Sequence, residues 1–307
     1  MPPTPHAGTL RRRTAGPGRR LATLAAVLAA ALCGTPAGTA PASAGSGPVG
    51  APASAPRTAA HRTVGAAAAV QSPVPQSVVD RYRLDTRWYA KYVQGPTDVN
   101  TGASVAVLGS ARISDATLLK AARQLEALTR TWPYYPVGEL SRRDVRVVLT
   151  ARGERMSSIP EVQAAWGTQL DDRYWGGMGA SDSLPLSVGT EANLTDGQGR
   201  ENVFVHEFGH SVADMSLRHI DPAYTRDLEN AYNQARASGR WNNTYAATNT
   251  SEYWAEGVQS YFDVNYEGRP GGDGVHNEIN TRGELQRYDR PLFDLLQRVY
   301  QGVPLPS

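Results

Sequence analysis

The stretch Asn202–Val212 reads NVFVHEFGHSV and places two histidines four residues apart, with a glutamate directly after the first. In a helix, positions i and i+4 lie on one face about one turn apart, so His206 and His210 can ligate the same metal ion. Glu207 is rotated by one position and can accept a proton from water on that metal. Zn²⁺ suits imidazole ligands and lowers the pKa of bound water toward about 7. The spacing predicts a zinc-hydrolase helix that holds one Zn²⁺ ion, with Glu207 as general base.

Chance is the alternative explanation of this motif, with both histidines on an exposed face of an amphipathic helix. The whole chain has 6 histidines. Two of them at this spacing around a glutamate are rarely accidental in so sparse a set. We therefore favour the metal-binding interpretation.

A catalytic zinc needs a third protein ligand and keeps one position open. One large class of zinc hydrolases supplies a histidine six residues after the second one, but that position here is Ser216. His219 follows His210 by nine residues, and we interpret it as a helix-end histidine. The third ligand must then come from another part of the chain.

The segment Thr248–Asp263, TNTSEYWAEGVQSYFD, carries two carboxylates one helical turn apart. We predict that Glu252 binds the zinc and that Glu256 accepts the free N–H of a ligand histidine and fixes its tautomer. Both have ordinary alternatives. With Asn249 as N-cap, Glu252 falls at N3, where a glutamate reaches back to the cap N–H. Glu256 could be a solvated helix glutamate.

HEFGH, followed 42 residues after His210 (252 − 210) by EYWAE, resembles the gluzincin metallopeptidases, in particular the family of anthrax lethal factor-like catalytic domains. The likeness is specific from Asn202 to Phe262 and thin elsewhere. It implies a zincin-like fold: a twisted mixed sheet packed on the HExxH helix, and a mainly helical C-terminal lobe that carries the third ligand. That family also has a tyrosine seven residues before the glutamate ligand. The resemblance implies that Tyr245 donates its hydroxyl to the oxyanion; otherwise it would be a surface-loop tyrosine.

Two further residues near these motifs have weaker claims to a role. His276, in GDGVHNEINTR, is interpreted as a solvated loop histidine and is not assigned to catalysis. Asp214, one turn beyond His210, could support a ligand or be an exposed helix aspartate.

The elements that must position these side chains predict an α+β fold. SVAVL (104–108) and DVRVVLT (144–150) have the composition and alternation of strands, and a helix capped by Ser114 or Asp115 lies between them. Leu184–Val188 is predicted as a strand that leads through a turn into the histidine helix, expected from about Glu201 to Leu217. A last helix follows Pro291.

The N-terminus has the pattern of an export signal. Residues 1–44 contain five arginines, an apolar run from Leu21 to Leu32 and a small-residue cleavage site at Ala42–Ala44. A membrane anchor and a lipoprotein are the alternatives. Residues 45–76 are rich in Ala, Pro, Ser and Gly, and we interpret them as a linker or short pro-segment. Residues 77–307 form the predicted metallopeptidase domain.

Removing the signal reverses the sign of the charge. The full chain has 31 Lys+Arg and 29 Asp+Glu, and residues 1–44 contain five of the bases and no acids, so the mature chain has 26 against 29 and a net charge of −3. The sequence therefore predicts no nucleic-acid partner and no membrane association after the signal is removed. Cys33 is the only cysteine, and its loss with the signal would leave no disulfides.

Together these features predict a secreted zinc-dependent endopeptidase acting on a peptide or protein substrate. We expect the substrate to lie extended along an edge strand, and Ser183–Val188 is the candidate for that strand. Two alternatives remain open: a zinc amide hydrolase acting on cell-wall peptide, and a non-catalytic exported module with a structural zinc. The sequence does not indicate an oligomeric state.

Overall fold

The computed structural model describes the following parts of the chain: residues 69–98, 101–130, 135–167, 176–196 and 201–307. The predicted signal peptide (1–44) and most of the predicted linker (45–76) lie outside them. The end of that linker is packed on the fold, because Gln71 forms a β-bridge with Tyr92 and Val74 is buried.

A four-stranded mixed sheet occupies the first half of the described fold. Its strands are β1 Lys91–Thr97, β2 Ser104–Gly109, β3 Arg146–Thr150 and β4 Leu186–Thr190, and they lie in the order β1-β2-β3-β4. β1 pairs antiparallel with β2, whereas β2, β3 and β4 are parallel. The predicted α+β class with a mixed sheet is therefore confirmed. β1 was not predicted, because Gly95 and Pro96 interrupt its pattern.

Ten α-helices of five or more residues lie in the described residues: α1 Gln76–Tyr82, α2 Asp115–Leu128, α3 Pro136–Arg142, α4 Pro160–Trp166, α5 Glu191–Thr195, α6 Val203–Val212, α7 Tyr224–Ala237, α8 Thr250–Tyr261, α9 Arg282–Tyr288 and α10 Arg290–Tyr300. Helix α6 continues as a π-helical turn, Ala213–Leu217, which is followed by a last α-helical turn, Arg218–Ile220. Residues 201–307 contain helices and loops but no strand. Among the described helices, none combines the length and apolar character that crossing a membrane requires.

Each face of the sheet packs against its own set of helices, because strand residues alternate between the faces. Val105 and Val107 of β2 belong to the larger core, which includes residues of α2, α6, α8 and α10. Ala106 and Leu108 belong to a second core that contains residues of α1 and α4. The helix that carries both histidines therefore lies on the first face.

Helix α6 begins where its sequence provides a cap. The Asn202 side chain accepts a hydrogen bond from the backbone N–H of Val205 at 3.3 Å, so the helix starts two residues after the predicted Glu201. A Cβ on Gly189 would lie 2.9 Å from Phe204, so this glycine allows α6 to approach β4 closely. The short helix α5 was not predicted; it lies between β4 and the predicted turn Thr195–Arg200, and residues 197–200 of that turn lie outside the described residues.

Helix α8 lies directly against α6. The indole Nε1 of Trp254 donates to the backbone carbonyl of Gly209 at 3.1 Å. A Cβ on Gly209 would lie 3.4 Å from Val258, an ordinary contact distance, so the backbone of α6 approaches the Val258 side chain closely at this glycine. On the other side of α8, the hydroxyl of Tyr253 donates to buried Asp289 at 2.7 Å. These contacts fix the start of α8 opposite the histidines.

Candidate metal centre

His206, His210 and Glu252 converge on one point between α6 and α8. The two histidine Nε2 atoms are 3.1 Å apart. Oε2 of Glu252 lies 3.0 Å from Nε2 of His206 and 3.3 Å from Nε2 of His210. The structure thus brings together the three residues predicted as ligands, close enough to hold one metal ion.

The triangle of donor atoms has the size that a tetrahedral ion requires. Zinc binds imidazole nitrogen and carboxylate oxygen at about 2.0–2.1 Å, which places neighbouring ligand atoms roughly 3.3 Å apart in a tetrahedron. The three separations, 3.0, 3.1 and 3.3 Å, are close to that value. Two imidazoles and one carboxylate are also a donor set that catalytic zinc uses.

Glu252 does not act as a capping residue, which was the alternative for it. Its backbone N–H donates to the Asn249 side chain at 2.9 Å, as an N3 residue does. Its carboxylate, however, faces the imidazoles. In helix α9 the corresponding glutamate, Glu284, does reach back to the backbone N–H of its cap, Thr281, at 3.1 Å. The carboxylate of Glu252 is therefore directed at the metal position in a place where local capping offered another partner.

A chain of hydrogen bonds determines which nitrogen of His206 carries the proton. The amide NH₂ of Gln259 donates to Glu201 at 3.1 Å and to the Asn202 carbonyl at 3.2 Å. Its oxygen therefore faces Nδ1 of His206, at 2.9 Å, and can only accept. Nδ1 must carry a hydrogen, so Nε2 is the nitrogen that can ligate a metal once the metal displaces its proton. Glu256, predicted for this role, lies 3.6 Å from the same Nδ1.

Two hydrogen-bonding partners of the ligands were missed in the sequence. Besides Gln259, the hydroxyl of Ser251 lies 2.9 Å from Nδ1 of His210 and can accept a hydrogen bond from its N–H. The sequence spacing contained a signal for both Gln259 and Ser251. Gln259 is seven residues after Glu252 and so lies on the same helix face, and Ser251 directly precedes Glu252.

Glu207 lies beside the metal position against the backbone of Gly177. A Cβ on that glycine would come within 2.6 Å of Glu207 Cγ, so the two segments are in direct contact. Burial raises the pKa of Glu207 above its ordinary value of 4.5, although the charges of His206 and His210 lower it. A carboxylate with a raised pKa is a better proton acceptor.

Tyr245 lies near His206, in the 3₁₀ turn Tyr245–Ala247. The two rings are 6.2 Å apart between centroids and inclined by 21°. Burial, and after it the negative charges of Glu252 and Glu207, raise the pKa of the Tyr245 hydroxyl well above 10.0. The phenol therefore keeps its proton at neutral pH, and a hydrogen bond to the Glu252 carboxylate is among the causes of the shift.

The electrostatics of the three ligand residues favour a cation. Burial raises the pKa of Glu252, but the charge of His210 and hydrogen bonds from both histidines outweigh it and hold that pKa well below 4.5. Burial lowers the pKa of His206, but the hydrogen bond and charge of Glu252 raise it well above 6.5. The site thus stabilises positive charge, and a metal ion would replace the protons.

The candidate strand Ser183–Val188 overlaps β4, which is an edge strand of the sheet as predicted, but the outer side of β4 is already paired at Val188. Met178 pairs with Val188 on the outer side of β4, through hydrogen bonds of 3.0 Å (Met178 N–H to Val188 carbonyl) and 2.7 Å (the reverse). The segment 176–180, GGMGA, therefore forms the margin of the sheet next to α6. Its glycines concealed it, because a glycine-rich run predicts a loop.

The three other residues considered in the sequence, which were His219, Asp214 and His276, differ in their outcome. His219 is exposed near the end of the helix and contacts the Asp214 carbonyl at 3.2 Å, as expected of a helix-end histidine. Asp214 is partly buried, and burial raises the pKa of its carboxyl above 3.8. His276 is not a solvated loop histidine. Its ring packs 5.4 Å from that of Tyr266 and its Nε2 lies 3.5 Å from Glu201.

Comparison with models of known protein families found none that matches this chain, and searches of characterised proteins and of solved structures also found no match. The resemblance to gluzincins stays a prediction from the motifs.

Proposed function

We propose that this chain is a secreted zinc-dependent endopeptidase of the gluzincin type, with a zincin-like arrangement of sheet and helices. The observation that carries the proposal is the triangle of His206, His210 and Glu252 with the Glu207 carboxylate beside it. A structural zinc would need a fourth protein ligand, and the ligand group in the described residues has three members. The free position and the adjacent base are the features of a hydrolytic site.

Zinc, when bound, supplies Lewis acidity that polarises a carbonyl and lowers the pKa of water. The residues of the chain supply the rest. Glu207 accepts a proton from the attacking water and passes it to the leaving amine. Gln259 and Ser251 hold the two imidazoles in the orientation and tautomer that ligation requires. The Tyr245 hydroxyl donates a hydrogen bond to the oxygen on which negative charge develops.

The margin formed by residues 176–180 is the candidate position for an extended substrate. In an antiparallel pairing, alternate residues direct their backbone polar groups to opposite sides. Because Met178 faces β4, Gly177 and Gly179 present their N–H and carbonyl groups outward. In the part of the chain that is described, no strand pairs with that outer side. A peptide added there as a further strand would pass next to Glu207 and His210.

The decisive experiment compares Glu207→Gln with the parent on a generic peptide library, with metal content measured on the same samples. We expect zinc to be retained and hydrolysis to fall by about 10²–10⁴-fold. Glu229→Gln, on the exposed face of α7, is the matched control and should behave as the parent. Equal cleavage by Glu207→Gln and the parent would remove Glu207 as the base.

The same assay tests the alternatives to a peptidase. A panel of cell-wall peptide fragments is run in parallel with the unfolded proteins and peptides. Cleavage of the wall fragments alone would assign the same site to a zinc amide hydrolase. A parent chain that holds zinc and cleaves neither class would contradict an enzymatic function.

A further inference from the structure

A second group of metal-ligating side chains lies behind the first, on the far side of His206. Glu201 precedes α6, Glu256 lies on α8, and His276 lies in the loop between α8 and α9. One potential ligand atom from each lies within 4.8 Å of the others. Three separate segments therefore meet at this group.

One buried nitrogen in this group has only a long contact. Nε2 of His276 forms no hydrogen bond of ordinary geometry, and its nearest acceptor is Oε2 of Glu201, at an ion-pair distance of 3.5 Å. Buried polar atoms nearly always have close hydrogen-bond partners, so this nitrogen has room for a closer one. A metal ion between the imidazole and the carboxylates is such a partner.

The carboxylates are held so that each keeps one oxygen for that partner. Gln259 donates to Oε1 of Glu201 at 3.1 Å, and Asn265 donates to Oε2 of Glu256 at 3.1 Å. The remaining oxygens are Oε2 of Glu201 and Oε1 of Glu256. Amide donors of this kind orient metal ligands from outside the ligand shell.

We propose that Glu201, Glu256 and His276 hold a second divalent cation, distinct from the ion on His206, His210 and Glu252. Two carboxylates with a neutral imidazole carry a charge of −2, which one divalent ion balances. Mixed carboxylate and imidazole ligands suit Zn²⁺ and Mn²⁺. The 3.5 Å between Glu201 and His276 is close to the roughly 3.3 Å between neighbouring ligands of a tetrahedral zinc.

This cation has a structural consequence for the first site. The backbone N–H of Tyr245 donates to the carbonyl of Val275 at 2.7 Å, and Val275 directly precedes His276. The second ion would join that loop to α8 and to the start of α6, and so hold the turn that carries Tyr245. Only this consequence rests on the proposed function; the ion site itself does not.

The test is metal stoichiometry after the chelator-treated chain is reloaded with Zn²⁺ or with Mn²⁺, each alone, and desalted. We expect two Zn²⁺ ions per parent chain, and one in either His276→Ala or Glu252→Ala. His219→Ala, which removes an exposed histidine, is the matched control and should keep two. Glu201→Gln preserves the shape of the side chain and should also bind one Zn²⁺ ion. It tests the same site independently in case His276→Ala does not fold.

The possible results separate the two sites. A parent chain with one ion that Glu252→Ala loses and His276→Ala keeps would overturn the second site and leave the proposed function intact. One ion lost in His276→Ala and Glu201→Gln, but kept in Glu252→Ala, would support the second site and contradict the proposed function. Two ions retained in Glu201→Gln and His276→Ala would overturn the second site, as would a parent chain without metal.

Discussion

Gly177→Ala is a sharp test of how the base is positioned. A Cβ at this glycine would lie 2.6 Å from Glu207 Cγ and 2.7 Å from the Val188 carbonyl oxygen. Ordinary contacts begin at 3.4 Å, so the shortfalls are 0.8 Å (3.4 − 2.6) and 0.7 Å (3.4 − 2.7). The oxygen belongs to β4 and accepts from Met178, and Cγ lies near the root of its side chain. Neither atom can move away unless the backbone of β4 or the side chain of Glu207 shifts.

The expected effects follow from that displacement. Overpacking of this kind costs about 1–3 kcal/mol of unfolding free energy. A shift of the Glu207 carboxylate by most of an ångström should lower kcat by up to about 10²-fold, because misplaced catalytic groups lose roughly that much per ångström. The metal should be retained, since the Cβ clashes with Glu207 rather than with His206 or Glu252.

The assay combines denaturant unfolding, steady-state peptide hydrolysis and metal analysis. Gly283→Ala is the matched control: its Cβ would meet only Arg287, at 3.5 Å, and its backbone conformation suits alanine. This control should unfold at the same or slightly higher denaturant concentration. If Gly177→Ala matched Gly283→Ala in both unfolding and kcat, the contact between the sheet margin and the base would be refuted.

Three further outcomes are expected. Ser251→Ala removes the acceptor for Nδ1 of His210 and should weaken metal affinity by about 10–100-fold while the chain stays folded; unchanged affinity in a competition titration with a chelator would contradict this role. Burial raises the pKa of Glu191, but hydrogen bonds, among them one from the backbone N–H of Arg152, hold it below 4.5. The ionised carboxylate thus stabilises the fold above pH 4.5 and loses this effect as the pH falls. The loss of unfolding free energy in Glu191→Gln, relative to the parent, should therefore be largest at pH 7 and shrink below about pH 4.5. A loss that does not change with pH would disprove this role of the Glu191 carboxylate. Chelation at pH 7 should lower the melting temperature, since an ion present at 1,000 times its Kd contributes about 4 kcal/mol to the folded state; an unchanged melting temperature would exclude such an ion.

Local periodicity was enough to predict the parts of the site that depend on a single helix. His206 and His210 share a face because the helix repeat places them there, and Glu207 follows from the same repeat. The α+β class followed from buried strands separated by a helix. These features require no knowledge of how distant segments pack.

Features that depend on contacts between segments were not accessible in the same way. The margin 176–180 looks like a loop because its glycines have no side chains, yet the missing side chains are what allow it to lie against Glu207 and His210. Likewise, His276 is isolated in a Gly/Asn-rich loop in sequence and reaches Glu201 only through the fold. In both cases tertiary packing decides the role.

Glu252 shows how a local rule and a tertiary one act on the same residue. Asn249 caps α8 and satisfies the backbone N–H of Glu252, so the carboxylate is not needed for the cap. In the first turn of α8 that carboxylate lies at the positive end of the helix dipole, which stabilises an anion. Trp254, two residues later, ties α8 to the Gly209 carbonyl of α6. The cap leaves the carboxylate uncommitted to the backbone, the two histidines keep its pKa low, and the indole contact holds α8 against the helix that carries them, so an anionic ligand faces both imidazoles.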